Sequence, residues 1–195
     1  MILITGFEPF GGETENPSRL SARLAVENLN REGVSAAFLE VPVVFARAGP
    51  AVIDKAASVR ADVVVCVGVA GDRKLISLER TAYNVKRGRI PDNDGAKPDG
   101  EIILPGPNTL TTRLPVSKAL DAIKAAGIPV EISDDAGRYV CNTLLYTVVA
   151  QLPEETPAGF VHVPQASEVS IEKQAEALQI VAMLALEQVK AQTLG

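Results

Sequence analysis

Strand-like and helix-like stretches alternate along the whole chain, so the sequence predicts one α/β domain with a largely parallel sheet between helix layers. Three observations carry this prediction. Val63-Val64-Val65-Cys66-Val67 is a continuous, β-branched-rich run, the pattern of a strand buried on both faces. Helical spacing recurs between such runs, most clearly in a closing segment with Ile171, Leu178, Ala182, Ala185 and Val189 inward. No repeat, linker or low-complexity stretch interrupts the 195 residues, enough for one good core and too few for two ordinary domains. The domain is therefore taken as residues 1–195.

Met1-Ile2-Leu3-Ile4-Thr5 reads as the first strand, with neither the basic leader nor the small-residue cleavage site of a signal peptide. A glycine-dense loop with two phenylalanines follows, Gly6 to Ser18. It lacks the spacing of a phosphate-cradling loop, and its aromatic residues suit a segment that covers a site. A helix is predicted from about Pro17 to Asn30, with Leu20, Leu24 and Ala25 on one face. Ala37–Val41 is a second strand, and Pro50 suits the first turn of a helix ending near Arg60. The Val63–Val67 strand stops in a close turn, Gly68 to Arg73. Leu78–Asn84 reads as one strand of mixed polarity. Residues 84–100 are too rich in Asp, Gly and Pro to be regular, and form a long loop. A helix over Pro115–Ala126 closes on Gly127, and Val130–Ser133 is a short strand. The stretch Asp134 to Asn142 turns into a helix reaching about Leu152. Gly159–Val163 is a strand stopped by Pro164, and Ser170 caps the last helix, which runs to about Thr193.

Composition narrows the function. Hydrophobic residues are 47% and charged ones 22%, a globular balance, and aromatics at 4% leave an aliphatic core. The net charge of −5, with no basic block, argues against nucleic acid as a partner. No apolar run approaches the ~18 residues of a membrane helix. Two cysteines make no disulfide framework, and a reducing cytoplasm suits them. One histidine and two distant cysteines match no metal-ligand spacing.

Chemistry concentrates around Cys141. Its place in or near the first turn of a helix favours a thiolate, because unpaired N–H groups and partial positive charge gather there. The competing reading is a small hydrophobe filling a gap. His162, the only histidine, lies near the carboxyl end of its strand, where open α/β sheets form sites. Cys141 follows a strand ending near Ser133 and is therefore placed at that same edge. His162 is either a base there or a strand-end ring satisfied by backbone. Glu79 either orients an imidazole or is a surface carboxylate beside Arg80. Arg89 either supplies positive charge to an oxyanion or neutralises Asp92 and Asp94. Cys66 reads as core.

Six segments, in order, resemble the pyroglutamyl-peptidase I family of cysteine peptidases. They are Thr5–Gly12 with Asn16-Pro17-Ser18; Gly68–Arg73; Glu79-Arg80 with Asn84; Arg89–Asn93; Ala136–Asn142; and Gly159–Pro164. The resemblance implies a three-layer α/β/α sandwich with a mixed, largely parallel sheet. It implies a nucleophile at Cys141, a base at His162, a third triad member at Glu79 and active-site support from Arg89. It implies pocket phenylalanines at Phe7 and Phe10 and further substrate-binding positions at Asn16, Val69 and Val140. It also implies no cofactor and no metal, substrates with an N-terminal pyroglutamate, and a cytoplasmic homotetramer. The chain departs from the family pattern at Val69, usually glutamine, at Asp72, often glycine, and at Gln165-Ala166-Ser167, usually apolar. Those departures leave open a cysteine amidase or esterase of different acyl specificity. A non-catalytic binding module is the more distant alternative.

Overall fold

The structure, a computed structural model, describes residues 1–193; Leu194 and Gly195 of the predicted domain lie outside the described residues. In chain order the main elements are β1 (Ile2–Phe7), α1 (Pro17–Arg31), β2 (Ala36–Val41), α2 (Ala48–Val59) and β3 (Val63–Val69). Then come β4 (Ile76–Glu79), β5 (Thr81–Tyr83), β6 (Lys86–Arg87), β7 (Asp99–Glu101) and β8 (Thr109–Thr111). The chain closes with α3 (Val116–Ala125), β9 (Val130–Ser133), α4 (Val140–Gln151), β10 (Ala158–Val163) and α5 (Ile171–Thr193).

Six strands form one sheet in the order β2-β1-β3-β10-β4-β9. Its pairs are parallel except β10 with β4, which is antiparallel. Alternation then sorts the side chains. Ile2, Ile4, Val65, Val67, Val161 and Leu78 face an aliphatic core shared with α1, α3 and α5. Leu3, Val64, Cys66 and Phe160 face the other core, under α2 and α4. The predicted three-layer α/β/α sandwich with a mixed, largely parallel sheet is what forms.

Several predicted elements need correction. The single strand over Leu78–Asn84 is two: β4 stays in the sheet, and after Arg80 the chain leaves it as β5, paired with β8. The irregular segment 84–100 contains β6 and meets β7 at its end, an antiparallel clip. On α1 the buried stripe is Ser18, Ser21, Ala22, Ala25, Val26 and Leu29, so Leu20 and Leu24 only flank it.

The largest correction concerns direction. Ala70–Leu75 is too short for the crossover that a parallel strand requires, so β4 returns antiparallel to β10. β9 lies parallel to β4 and therefore runs away from the edge where β3 and β10 end. Cys141 reaches that edge because residues 134–139 carry the chain back to the start of α4, not because β9 ends there. Gly137 makes the reversal at φ +76°, a conformation glycine adopts without strain. Arg113 then anchors the far end of α4, donating to the carbonyls of Val149 (2.5 Å), Thr156 (3.0 Å) and Pro153 (3.3 Å).

Candidate active site

Side chains from β3, β10, α4 and the long loop converge on a cavity of about 830 Å³. Its lining includes Phe10, Val69, Ala70, Asp72, Arg73, Arg89, Tyr139, Cys141 and His162.

Cys141 is the second residue of α4, as the local sequence predicted. The cap residue Tyr139 contributes no side-chain acceptor, so the first-turn N–H groups are left to other partners. The thiol lies over Gly68 of β3. A Cβ on Gly68 would sit 3.1 Å from Cys141 Sγ and 2.7 Å from Cζ of Phe160, so only glycine leaves room for both. Asn142 locks the register of this helix start. Its side chain accepts from the Tyr83 N–H (2.9 Å) and donates to the carbonyls of Tyr83 (2.8 Å) and Val85 (3.0 Å).

His162 and Glu79 meet diagonally across the β10–β4 pair, where Phe160 stands opposite Glu79. His162 Nδ1 is 2.7 Å from Glu79 Oε1. The carboxylate is fully buried and the ring nearly so, while Arg80 pairs with Asp134 instead. Neither a surface carboxylate nor a histidine satisfied by backbone describes this pair. Burial raises the Glu79 carboxyl, but the hydrogen bond and charge of His162, the Ser133 hydroxyl and Arg73 outweigh it and hold the group below its usual range.

The helix start favours a thiolate, and the surroundings of the sulfur oppose it. Burial first, then the Glu79 charge, pushes the Cys141 thiol up to about 12. Its own backbone N–H and the Arg73 guanidinium pull the other way without prevailing. His162 lines the same cavity, with no hydrogen bond between the two side chains in this resting arrangement.

The other expected residues separate into two groups. Phe10 lines the cavity, its ring 5.6 Å from that of Tyr139, and Val69 and Arg89 line it too. Phe7, Asn16 and Val140 lie behind it. Phe7 is buried against Phe160, with ring centroids 6.4 Å apart, because it ends a strand whose last residue points into the core. Asn16 spends its amide on capping: Oδ1 accepts from Ser18 N–H (3.0 Å) and Nδ2 donates to the Glu8 carbonyl (3.0 Å). Val140 is fully buried in the α4 core. Arg89 neutralises neither candidate acid. Backbone N–H groups of Phe45, Asp94 and Ala96 occupy Asp92, and Arg47 takes Asp94.

Sequence reading assigned no role to Arg73 or Asn142. Their partners lie across a turn or on another strand, so no spacing announces them. Among the described residues no group of three or more His, Cys, Asp or Glu side chains is arranged to hold a metal. Nor is any described helix long and apolar enough to cross a membrane.

The family model described as pyroglutamyl peptidase matches residues 1–194. The pyrrolidone-carboxylate peptidase of Bacillus velezensis is 39% identical over 186 residues, covering 92% of this chain and 85% of that protein. That of Levilactobacillus brevis is 42% identical over 172 residues, covering 84% and 81%. Among solved structures, pyroglutamyl peptidase I of Bacillus amyloliquefaciens superposes with a TM-score of 0.87 at 36% identity, covering 95% of this chain and 96% of that one. The Thermococcus litoralis pyrrolidone carboxyl peptidase superposes at 0.86 with 28% identity, covering 98% and 95%. The chain belongs to the pyroglutamyl peptidase family and is a peptidase, a hydrolase.

Proposed function

We propose that this enzyme removes N-terminal pyroglutamate from peptides by acyl transfer through Cys141, with His162 as base and acid and Glu79 orienting the imidazole. The observation that carries the reading is the buried 2.7 Å contact between His162 and Glu79 beside a cavity that also holds the Cys141 thiol. The thiol proton passes to His162 as Sγ attacks the pyroglutamyl carbonyl. The Glu79 carboxylate stabilises the imidazolium so formed. The C–N bond then breaks and the amine leaves with the proton from His162. Water, deprotonated by His162, hydrolyses the thioester and releases free pyroglutamate. N–H groups at the start of α4, that of Cys141 included, stabilise the oxyanion; one such donor is worth about 3 kcal/mol. Arg89, exposed on the cavity wall, adds positive charge to the same region.

Selectivity follows from charge. Pyroglutamate ends a peptide as a neutral lactam, which the apolar wall of Phe10, Val69, Ala70 and Tyr139 accepts. A prolyl terminus would bring an ammonium into that wall without a buried partner. Phe7, Asn16 and Val140 support the wall from behind. The proposal includes a cytoplasmic homotetramer, as the resemblance implies, and light scattering on the purified protein tests the assembly.

Release of a fluorescent amine from a pyroglutamyl amide, compared with the prolyl amide and with iodoacetamide-treated enzyme, tests the function. Thiol-sensitive cleavage of the pyroglutamyl compound alone is expected. Equal cleavage of both amides, or cleavage that survives alkylation of Cys141, would overturn it.

A further inference from the structure

Arg73 stands at the centre of the site without a part in the chemistry above. It lies in the turn after β3 and is only partly exposed. Its Nη1 donates to Glu79 Oε1 at 2.6 Å, the same oxygen that His162 Nδ1 contacts, while Glu79 Oε2 is buried with no partner. Its Nη2 donates to the Asp135 carbonyl at 2.7 Å, in the segment that returns the chain to Cys141. One guanidinium thus spans the orienting carboxylate and the approach to the nucleophile.

We propose that Arg73 is a positioning residue that competes with His162 for Glu79 Oε1 and thereby sets how readily the imidazole holds a proton, while its second arm fixes the start of α4. The inference rests on the acyl-transfer reading above. With Arg73 present, the carboxylate is shared, and the imidazolium is stabilised less than an unshared carboxylate would stabilise it. The groups acting on this pair are Arg73 from the β3–β4 turn, Ser133 from β9 and Cys141 from α4, and the cavity wall that His162 shares also carries Asp72, Arg87, Arg89, Asp135, Arg138 and Tyr139. Among them Arg73 is the cation that donates to Glu79.

Because His162 is the chain's single histidine, its ring resonances can be followed by NMR without overlap. The test compares the parent enzyme with Arg73→Gln and Arg73→Lys, each checked by circular dichroism and thermal melting. In Arg73→Gln the titration midpoint of the His162 ring should move up by about 0.5 to 1 pH unit, as loss of a neighbouring cation requires. The acid limb of kcat/KM for the pyroglutamyl amide should move with it. Arg73→Lys keeps the charge and should return both midpoints to within about 0.3 unit of the parent. A folded Arg73→Gln protein with an unmoved His162 midpoint overturns the proposal, even if its activity falls. The ring titration needs no substrate, so it judges Arg73 even if the parent fails to cleave the amide; that failure counts only against the acyl-transfer reading.

Discussion

Cys66 and Cys141 lie close together, two residues before Gly68 on β3 and directly over it, yet the fold treats them differently. Burial pushes both thiols up to about 12, so acidity does not tell them apart. Access and a proton acceptor do. Cys66 is fully buried, with the Thr5 hydroxyl as its polar neighbour. Cys141 is half-buried, begins a helix and opens onto the cavity that His162 lines. What separates the two thiols is access to the cavity and to His162.

The sharpest way to break that contrast is to remove each sulfur in turn. Cys141→Ala should lower amide release by about four orders of magnitude or more. Cys66→Ala should keep kcat/KM within about twofold and lose about 1 kcal/mol of stability in urea unfolding. Iodoacetamide followed by peptide mass mapping should label Cys141 and spare Cys66. The opposite pattern would move the chemistry to β3.

Glu79→Gln comes next. It leaves the shape of the Glu79–His162 contact but removes the charge that steadies the imidazolium, and should reduce kcat by about a hundred- to thousandfold, less than loss of the sulfur. A loss equal to that of Cys141→Ala would mean Glu79 does more than orient. Gly68→Ala tests the space between the Cys141 thiol and the Phe160 ring. The added methyl meets both Cys141 Sγ and the Phe160 ring, so about a tenfold loss of kcat and 1–3 kcal/mol of stability are expected from kinetics and unfolding.

The smallest effect is on stability against pH. The Glu79 carboxyl is held below its usual range, so its stabilising contribution is complete above its unfolded value of about 4.3 and is lost as pH falls through the lower folded value. The stability gap between parent and Glu79→Gln should therefore be widest near neutral pH and close progressively below about pH 4. A constant gap would detach Glu79 from this linkage.

Local patterns proved reliable where burial and periodicity dictate structure. The Val63–Val67 run is fully buried, Cys141 stands in a first turn, and Leu178, Ala182 and Ala185 face inward on α5. Ser170 Oγ accepts from the Lys173 N–H at 3.3 Å, the cap its residue type predicts. These are short-range properties, written in side-chain type and spacing. The resemblance named Phe10, Val69, Arg89, Cys141 and His162, which line the cavity, and Phe7, Asn16 and Val140, which do not, while residue type alone left both Glu79 and His162 with an ordinary alternative.

Tertiary structure decided the rest. The direction of β4 and β9 depends on which strands pair, a non-local choice to which the pattern of a short strand is blind. Burial of Glu79, the bond from Arg73, the inward turn of Phe7 and the latch made by Asn142 all follow from that pairing. The setting of Cys141 is tertiary as well: the helix start favours a thiolate while burial and the Glu79 charge oppose it, because desolvation of a charge is set by the surrounding fold and not by neighbouring residues in sequence.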